Sequence, residues 1–242
     1  MDIKSSLIVC LTACIVFTLC FIFIRSKGAS VYSVIVKALA SFSFVLTFMV
    51  SLGYEAELDF PLIAIGIGLV AGLIGDILLD LKLAYEQDSN EYLVAGFVSF
   101  GVGHLFYIFA IIRLALDKWS VGGDIVVPVA VSVLIALALA VGGIVMMKKV
   151  LKYDFGKHTV ITAVYSFILF FVTCLAMAFS FSNPKFASFA IGLILFSLSD
   201  LILSMQYFGG QAKNNVLQIA NHSAYYLAQI VIACTVFISI LI

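Results

Sequence analysis

Long apolar runs alternate with short polar interruptions over the whole chain. Eight runs have the length a helix needs to cross the hydrocarbon core, about 17–25 residues. They cover 7–24, 30–52, 61–81, 93–115, 125–147, 158–181, 186–207 and 217–241. Pro61, Pro128 and Pro184 are the only prolines, and each falls at the start of a run, where its missing N–H costs little. The connections 25–29, 53–60, 82–92, 116–124, 148–157, 182–185 and 208–216 hold most of the charge. The pattern predicts an all-α polytopic membrane bundle of eight transmembrane helices in one integral domain, 1–242.

Composition sharpens this. Hydrophobic residues make up 64% of the 242, and mean hydropathy is +1.23, which leaves no stretch for a separate soluble domain. Formal net charge is zero, which argues against a nucleic-acid partner. Cys10, Cys14, Cys20, Cys174 and Cys234 all lie within the runs and form no CxxC pair, so they are expected to pack as small apolar residues. Lys4 and the run after it resemble a signal peptide, and Leu11-Thr12-Ala13-Cys14 resembles a lipoprotein cleavage box. The run continues well past Cys14, so an uncleaved first helix is expected. Nothing in the pattern speaks to oligomeric state.

Loop charges set the expected orientation. Connections after helices 1, 3, 5 and 7 carry, at or beside them, Arg25, Lys27, Lys82, Lys148, Lys149, Lys152, Lys157 and Lys213. The opposite side has Lys4, Arg113, Lys118 and Lys185, with the acidic Glu55, Glu57 and Asp59. Eight against four predicts both termini outside and the odd-numbered connections in the cytoplasm.

Six ionisable side chains sit within or beside apolar runs: Lys37, Asp76, Asp80, His104, Asp200 and His222. A charge at mid-bilayer costs roughly 2.5–3.5 kcal/mol or more, so such residues are expected to face a partner or a wet cavity. Asp76, Asp80 and Asp200 fall near the ends of inward-running helices; Lys37 and His222 fall near the beginnings of outward-running ones. Asp76 lies about 8 Å from the expected end of its helix at 1.5 Å per residue. His104 is near the middle of helix 4. Together they predict a polar pocket opening toward the cytoplasmic leaflet.

A short internal echo points the same way. Gly75-Asp76-Ile77-Leu78-Leu79 parallels Ser199-Asp200-Leu201-Ile202-Leu203, and Gly103-His104-Leu105-Phe106-Tyr107 parallels Asn221-His222-Ser223-Ala224-Tyr225. It suggests two parallel four-helix repeats, 1–120 and 121–242.

Each residue also has a plainer role open to it. Asp80 is expected to be a solvated helix end. Asp76 and Asp200 could pair structurally with Lys37 or bond a neighbouring helix. Lys37, between Ser33 and Ser41 at i−4 and i+4, could bind a phosphate, fix a carboxylate's charge, or snorkel to the interface. His104, Tyr107, Tyr165, His222, Tyr225, Tyr226 and Gln229 could orient water or a carboxylate, or simply bond between helices at about 0.6 kcal/mol each. His158, beside Lys157, reads as interfacial. No HExxH or HxxxH spacing, Walker loop, GxSxG elbow or dinucleotide fingerprint is present, so no metal and no cofactor are expected. Small-residue patterns such as Gly68-Leu69-Val70-Ala71-Gly72 read as helix packing.

At these residues the chain resembles the YhhN/TMEM86 family, whose characterised members are lysoplasmalogenases. The resemblance covers nearly the whole length. It rests on Lys37, Gly75-Asp76, Gly103-His104 with Tyr107, Tyr165, Ser199-Asp200 and Tyr225-Tyr226-Leu227-Ala228-Gln229. The family often has proline after the helix 2 lysine, where this chain has Ala38.

The resemblance implies a hydrolase that cleaves the vinyl ether of a lysoplasmalogen to a fatty aldehyde and a glycerophospho-alcohol. The expected partners are then a lysophospholipid substrate and membrane lipid. Vinyl ethers open by protonation at carbon, and water attacks the resulting oxocarbenium ion. Two carboxyl groups suit that chemistry, one as acid and one handling water or charge. Asp76 and Asp200 are the expected catalytic pair, with Asp200 favoured as acid and Asp76 as base. Lys37 would hold the headgroup phosphate or the charge on Asp76. His104, Tyr225 and Gln229 would position water or glycerol, and the hydrocarbon chain would lie between helices. The short connections fit a bacterial inner membrane, with endoplasmic reticulum as the alternative. Two other classes are open to the same residues. A proton-coupled transporter of small molecules or lipids would use the buried acids as a relay. A structural scaffold would tolerate alanine at all six ionisable positions.

Overall fold

The computed structural model describes residues 2–54, 58–85, 87–119 and 125–241, with the side chains of 117–119 and 239–241 excepted. Glu55, Glu57 and the side chain of Lys118, used above to set orientation, lie outside the described residues. The helices are α1 (Ile3–Ser26), α2 (Val31–Ser51), α3 (Phe60–Ala84), α4 (Ser89–Trp119), α5 (Val126–Lys149), α6 (Thr159–Ser182), α7 (Ala187–Phe208), α8 (Asn215–Ala233) and α9 (Thr235–Leu241). No strand occurs among the described residues. The protein is an all-α, multi-pass membrane bundle.

Among the described residues seven helices, α1 to α7, are long and apolar enough to span a membrane. The eighth expected span differs in two ways. Its run is divided at Cys234 into α8 and the seven-residue α9. Where α8 ends, the Ala233 carbonyl accepts the Ser51 hydroxyl of α2 at 3.1 Å. In addition, α8 buries Asn221, His222 and Gln229, which lower its hydropathy. Their polarity is turned into the bundle, against α7, α2 and α1.

Helix ends follow local chemistry. Asp2, Asp59 and Asn214 cap α1, α3 and α8 with side-chain oxygens, and Ser30 and Ser33 form a reciprocal capping box on α2. Pro61 sits in the first turn of α3, Pro128 in that of α5, and Pro184 opens a 3-10 turn just before α7. α2 runs unbroken through Ala38.

Consecutive helices pack as four antiparallel hairpins, α1/α2, α3/α4, α5/α6 and α7/α8. α2 also meets α3 and α8, while α6 meets α7 and α4. Two hairpins close on glycine. A Cβ at Gly103 would stand 3.0 Å from the Gly68 carbonyl of α3, and one at Gly192 would stand 3.2 Å from the Ala228 carbonyl of α8. That close approach is the packing expected of small residues between membrane helices.

The core is aromatic and aliphatic, centred on Phe44, Phe48, Leu69, Tyr107, Phe179, Phe189 and Phe196. Large apolar side chains such as Phe23, Phe42, Phe109 and Phe181 point outward, as a lipid-facing surface requires. α1 and α5 lie at the periphery. α1 buries a single stripe, Leu7, Cys14, Thr18, Phe21 and Arg25. α5 buries only Ser132, Ala136, Ala140 and Met147. All five cysteines are free thiols.

Candidate functional site

Lys37 lies in the second turn of α2, and it organises the acids of α3. Its Nζ stands 3.3 Å from Asp76 Oδ1 and 3.8 Å from Asp80 Oδ1. Asp76 and Asp80 are one helical turn apart, so one cation reaches both. The serines at i−4 and i+4 from Lys37 complete the acceptors. Ser33 donates to Asp80 Oδ2 at 2.9 Å, and Ser41 donates to Asp76 Oδ2 at 2.6 Å. The polar stripe on α2 is therefore a complement to the acidic stripe on α3. Lys37 does not snorkel; it is 4% exposed.

Asp80 departs from its expected place. It is 1% exposed rather than a solvated helix end. α3 continues to Ala84, which puts Asp80 a turn inside the helix and Asp76 about 12 Å from its end.

Tyr225 of α8 closes the cluster, donating to Asp76 Oδ2 at 2.6 Å. Gln229, one turn on, donates Nε2 to the Tyr225 oxygen at 2.9 Å. Tyr226 stands behind, its hydroxyl 3.2 Å from Ser41 Oγ and 3.4 Å from the Lys37 carbonyl.

Asp200 of α7 has a different setting. Tyr165 of α6 donates to its Oδ2 in a short hydrogen bond, and the same hydroxyl lies 3.5 Å from His104 Nε2. No cationic side chain lies within 4.0 Å of Asp200 among the described residues. His104 is walled by Tyr165, Phe196 and Tyr107, and Tyr107 stands edge-on to Phe189. His104, Tyr107, Tyr226 and Gln229 thus support the site from behind rather than line it. His222 lines it, edge-on to Phe21 with ring centroids 4.8 Å apart. Asn221 ties α8 to α7 beside Asp200, donating to the Ser199 carbonyl at 2.7 Å. His158 lies apart, 3.0 Å from Asn90 across two connections.

The acids share one cavity. A cleft of about 580 Å³ is lined by Lys37, Asp76, Asp80, Asp200, Tyr165, His222 and Tyr225. It lies at the end of the bundle that carries the odd-numbered connections. Arg25, from the last turn of α1, also lines it. A second cleft of about 620 Å³ runs between α5, α6 and α7 and is almost wholly apolar, with Gly143, Met147 and Leu169 among its walls. Phe97, Tyr165, Asp200, Leu203 and Tyr207 border both. Asp200 therefore stands where a polar chamber meets an apolar slot.

Arg25 was legible in the sequence only as a loop charge. The signal for it was present, because it continues the Leu7, Cys14, Thr18, Phe21 stripe at helical spacing. Tyr207 and Asn221 have no such signal; only the packing of α7 on its neighbours puts them here. Among the described residues, no group of three or more His, Cys, Asp or Glu side chains is arranged to hold a metal ion.

No curated protein and no solved structure is significantly similar to the chain. Residues 32–236, which contain every member of the cluster except Arg25, match the family model described as the YhhN family, and the chain belongs to that family.

Proposed function

We propose that the protein is an intramembrane hydrolase that cleaves the vinyl ether of a lysoplasmalogen by aspartate acid–base catalysis. Family membership is consistent with lysoplasmalogenase-like chemistry. The observation that carries the reading is the position of Asp200, at the junction of a polar and an apolar cleft. The vinyl ether of a lysoplasmalogen is itself the junction between a polar glycerophospho head and a hydrocarbon chain. A chain lying in the slot and a head in the chamber would bring that bond to Asp200.

The two acids suit different roles. Asp76 is held beside a cation and accepts two hydroxyl donors, which suits the base. Asp200 has a hydroxyl donor and no adjacent cation, which suits the acid. Asp200 donates its proton to the vinyl carbon remote from oxygen, giving an oxocarbenium ion. A water in the chamber adds to the oxygen-bearing carbon and passes its proton to Asp76. The hemiacetal collapses as its C–O bond to glycerol breaks and its hydroxyl proton passes through chamber water to the glycerol oxygen, and aldehyde leaves along the slot. Proton return from Asp76 to Asp200 through chamber water restores the starting state. Lys37 holds the charge on Asp76, Tyr225 and Gln229 fix that carboxylate's orientation, and Tyr165, backed by His104, orients Asp200.

We further propose a bacterial inner membrane with the chamber toward the cytoplasm, on the eight-to-four distribution of basic residues. The hairpin pattern, with α2–α8 matched by α6–α4, supports two related four-helix halves, each giving one of the two proposed catalytic acids to the chamber.

The test is purified protein incubated with lysoplasmalogen and with an ester-linked lysolipid, scored for fatty aldehyde against fatty acid. Aldehyde from the first substrate alone is expected. Fatty acid from the second, or substrate flux in proteoliposomes without product, would replace this reading with an esterase or a transporter.

A further inference from the structure

Arg25 is the one charged group of the chamber for which the fold supplies no match among the described residues. It is 5% exposed, and its Nε and Nη1 are buried without a hydrogen-bond partner. Among the described residues no carboxylate stands within 4.0 Å of it. The three acids that line the chamber with it are already held: Asp76 and Asp80 by Lys37 and the α2 serines, Asp200 by Tyr165. Its surroundings add positive charge instead. Lys82, in the last turn of α3, feels the Arg25 charge and lies over the Tyr207 ring with Nζ 3.8 Å from the centroid. A guanidinium buried with Nε and Nη1 unused is costly, so the site is incomplete without an acceptor. Planar arginine donors suit a phosphate better than any other common lipid group.

We propose that Arg25, with Lys82 at the rim, is the subsite for the phosphodiester of the lipid headgroup, and that the protein selects phosphate-bearing lysolipids over neutral ether glycerides. This rests on the proposed hydrolase reading for the identity of the lipid, while the anion site itself does not depend on turnover. It also moves the phosphate away from Lys37, whose charge Asp76 and Asp80 already absorb. Arg25 lies outside the residues that match the family model, so headgroup choice is set by α1, a peripheral helix.

The experiment is binding without chemistry. Purified protein in neutral detergent is titrated with a saturated 1-O-alkyl lysophospholipid, with the matching 1-O-alkylglycerol lacking phosphate, and with inorganic phosphate, each read by thermal shift. Arg25→Gln is expected to weaken the alkyl lysophospholipid by about tenfold or more and leave the alkylglycerol unchanged. Lys82→Gln, a rim substitution, is expected to weaken it by a few-fold in the same selective way. Equal weakening of both lipids, or of neither, would overturn the subsite and leave Arg25 a distant counter-charge for the acids. Protection by inorganic phosphate as strong as by the lipid would overturn the headgroup assignment. If Arg25→Gln does not fold, Lys82→Gln and Arg25→Lys carry the test: selective loss supports the subsite and unselective loss or no loss refutes it. Failure of aldehyde release with phosphate-selective, Arg25-dependent binding intact would refute the hydrolase reading and leave the subsite standing.

Discussion

The Tyr225 hydroxyl of α8 donates to Asp76 Oδ2 of α3 at 2.6 Å, on the same oxygen that accepts Ser41 from α2. Three helices thus converge on one carboxylate atom, while its other oxygen faces Lys37. The bond decides how that carboxylate is aimed. Tyr225→Phe should lower aldehyde release by about 10- to 100-fold, because the carboxylate keeps Ser41 and Lys37 but loses one constraint. Stability should fall by only about 1 kcal/mol, the usual worth of one such bond. Initial rates and thermal unfolding on one preparation separate the two effects.

Asp200→Asn and Asp76→Asn should each reduce turnover by about a hundredfold to ten-thousandfold, the range of a general acid or base. Their effects on folding should differ. Asp200 has no adjacent cation, so its amide is expected to fold like the parent. Asp76→Asn leaves Lys37 with Asp80 alone and should lower the melting temperature measurably. Near-normal aldehyde release from either variant would remove the proposed acid–base pair.

Lys37→Met strands two buried carboxylates at once. A cost of about 3–5 kcal/mol is expected, the range for breaking a buried ion pair from one side. Adding Asp80→Asn to Lys37→Met should recover part of it, since one of the stranded charges is then gone. A double-mutant cycle on unfolding measures the coupling; additive losses would mean that the 3.8 Å pair contributes nothing.

Gly143 of α5 borders the apolar slot, and a Cβ built there meets nothing within 4 Å. Gly143→Leu should therefore fold normally and fill part of the slot. The expected outcome is a several-fold rise in KM for long-chain lysoplasmalogen with little change for a short-chain analogue. An equal rise for both would place the chain elsewhere.

Chamber and slot meet at Tyr165, so Tyr165→Phe offers a comparison with Asp200→Asn. The phenol is an orienting group rather than the proton source in the proposed scheme. It should cost less in rate than the aspartate, about tenfold, with the loss in kcat rather than KM. A loss as large as that of Asp200→Asn would make the phenol a participant in proton transfer.

Run length and composition alone sufficed for the helical, membrane-spanning class, because a polar backbone in hydrocarbon has few other solutions. They also marked Lys37, Asp76, Asp200 and Tyr225, since an ionisable or hydroxylated residue in such a run must be answered by a partner. The sequence could not say which partner. Whether Asp80 is solvated or sealed depends on where α3 ends and on Lys37 and Ser33 across the interface. Whether Arg25 is a loop charge or a chamber wall depends on the rotation of α1 about its axis, and helix packing decides that. The meeting of a polar chamber and an apolar slot at Asp200 needs α5, α6, α7 and α4 placed together, from positions far apart in the chain. Local chemistry marks which residues are costly to leave unpaired; only the assembled bundle decides what they are paired with and what is left open.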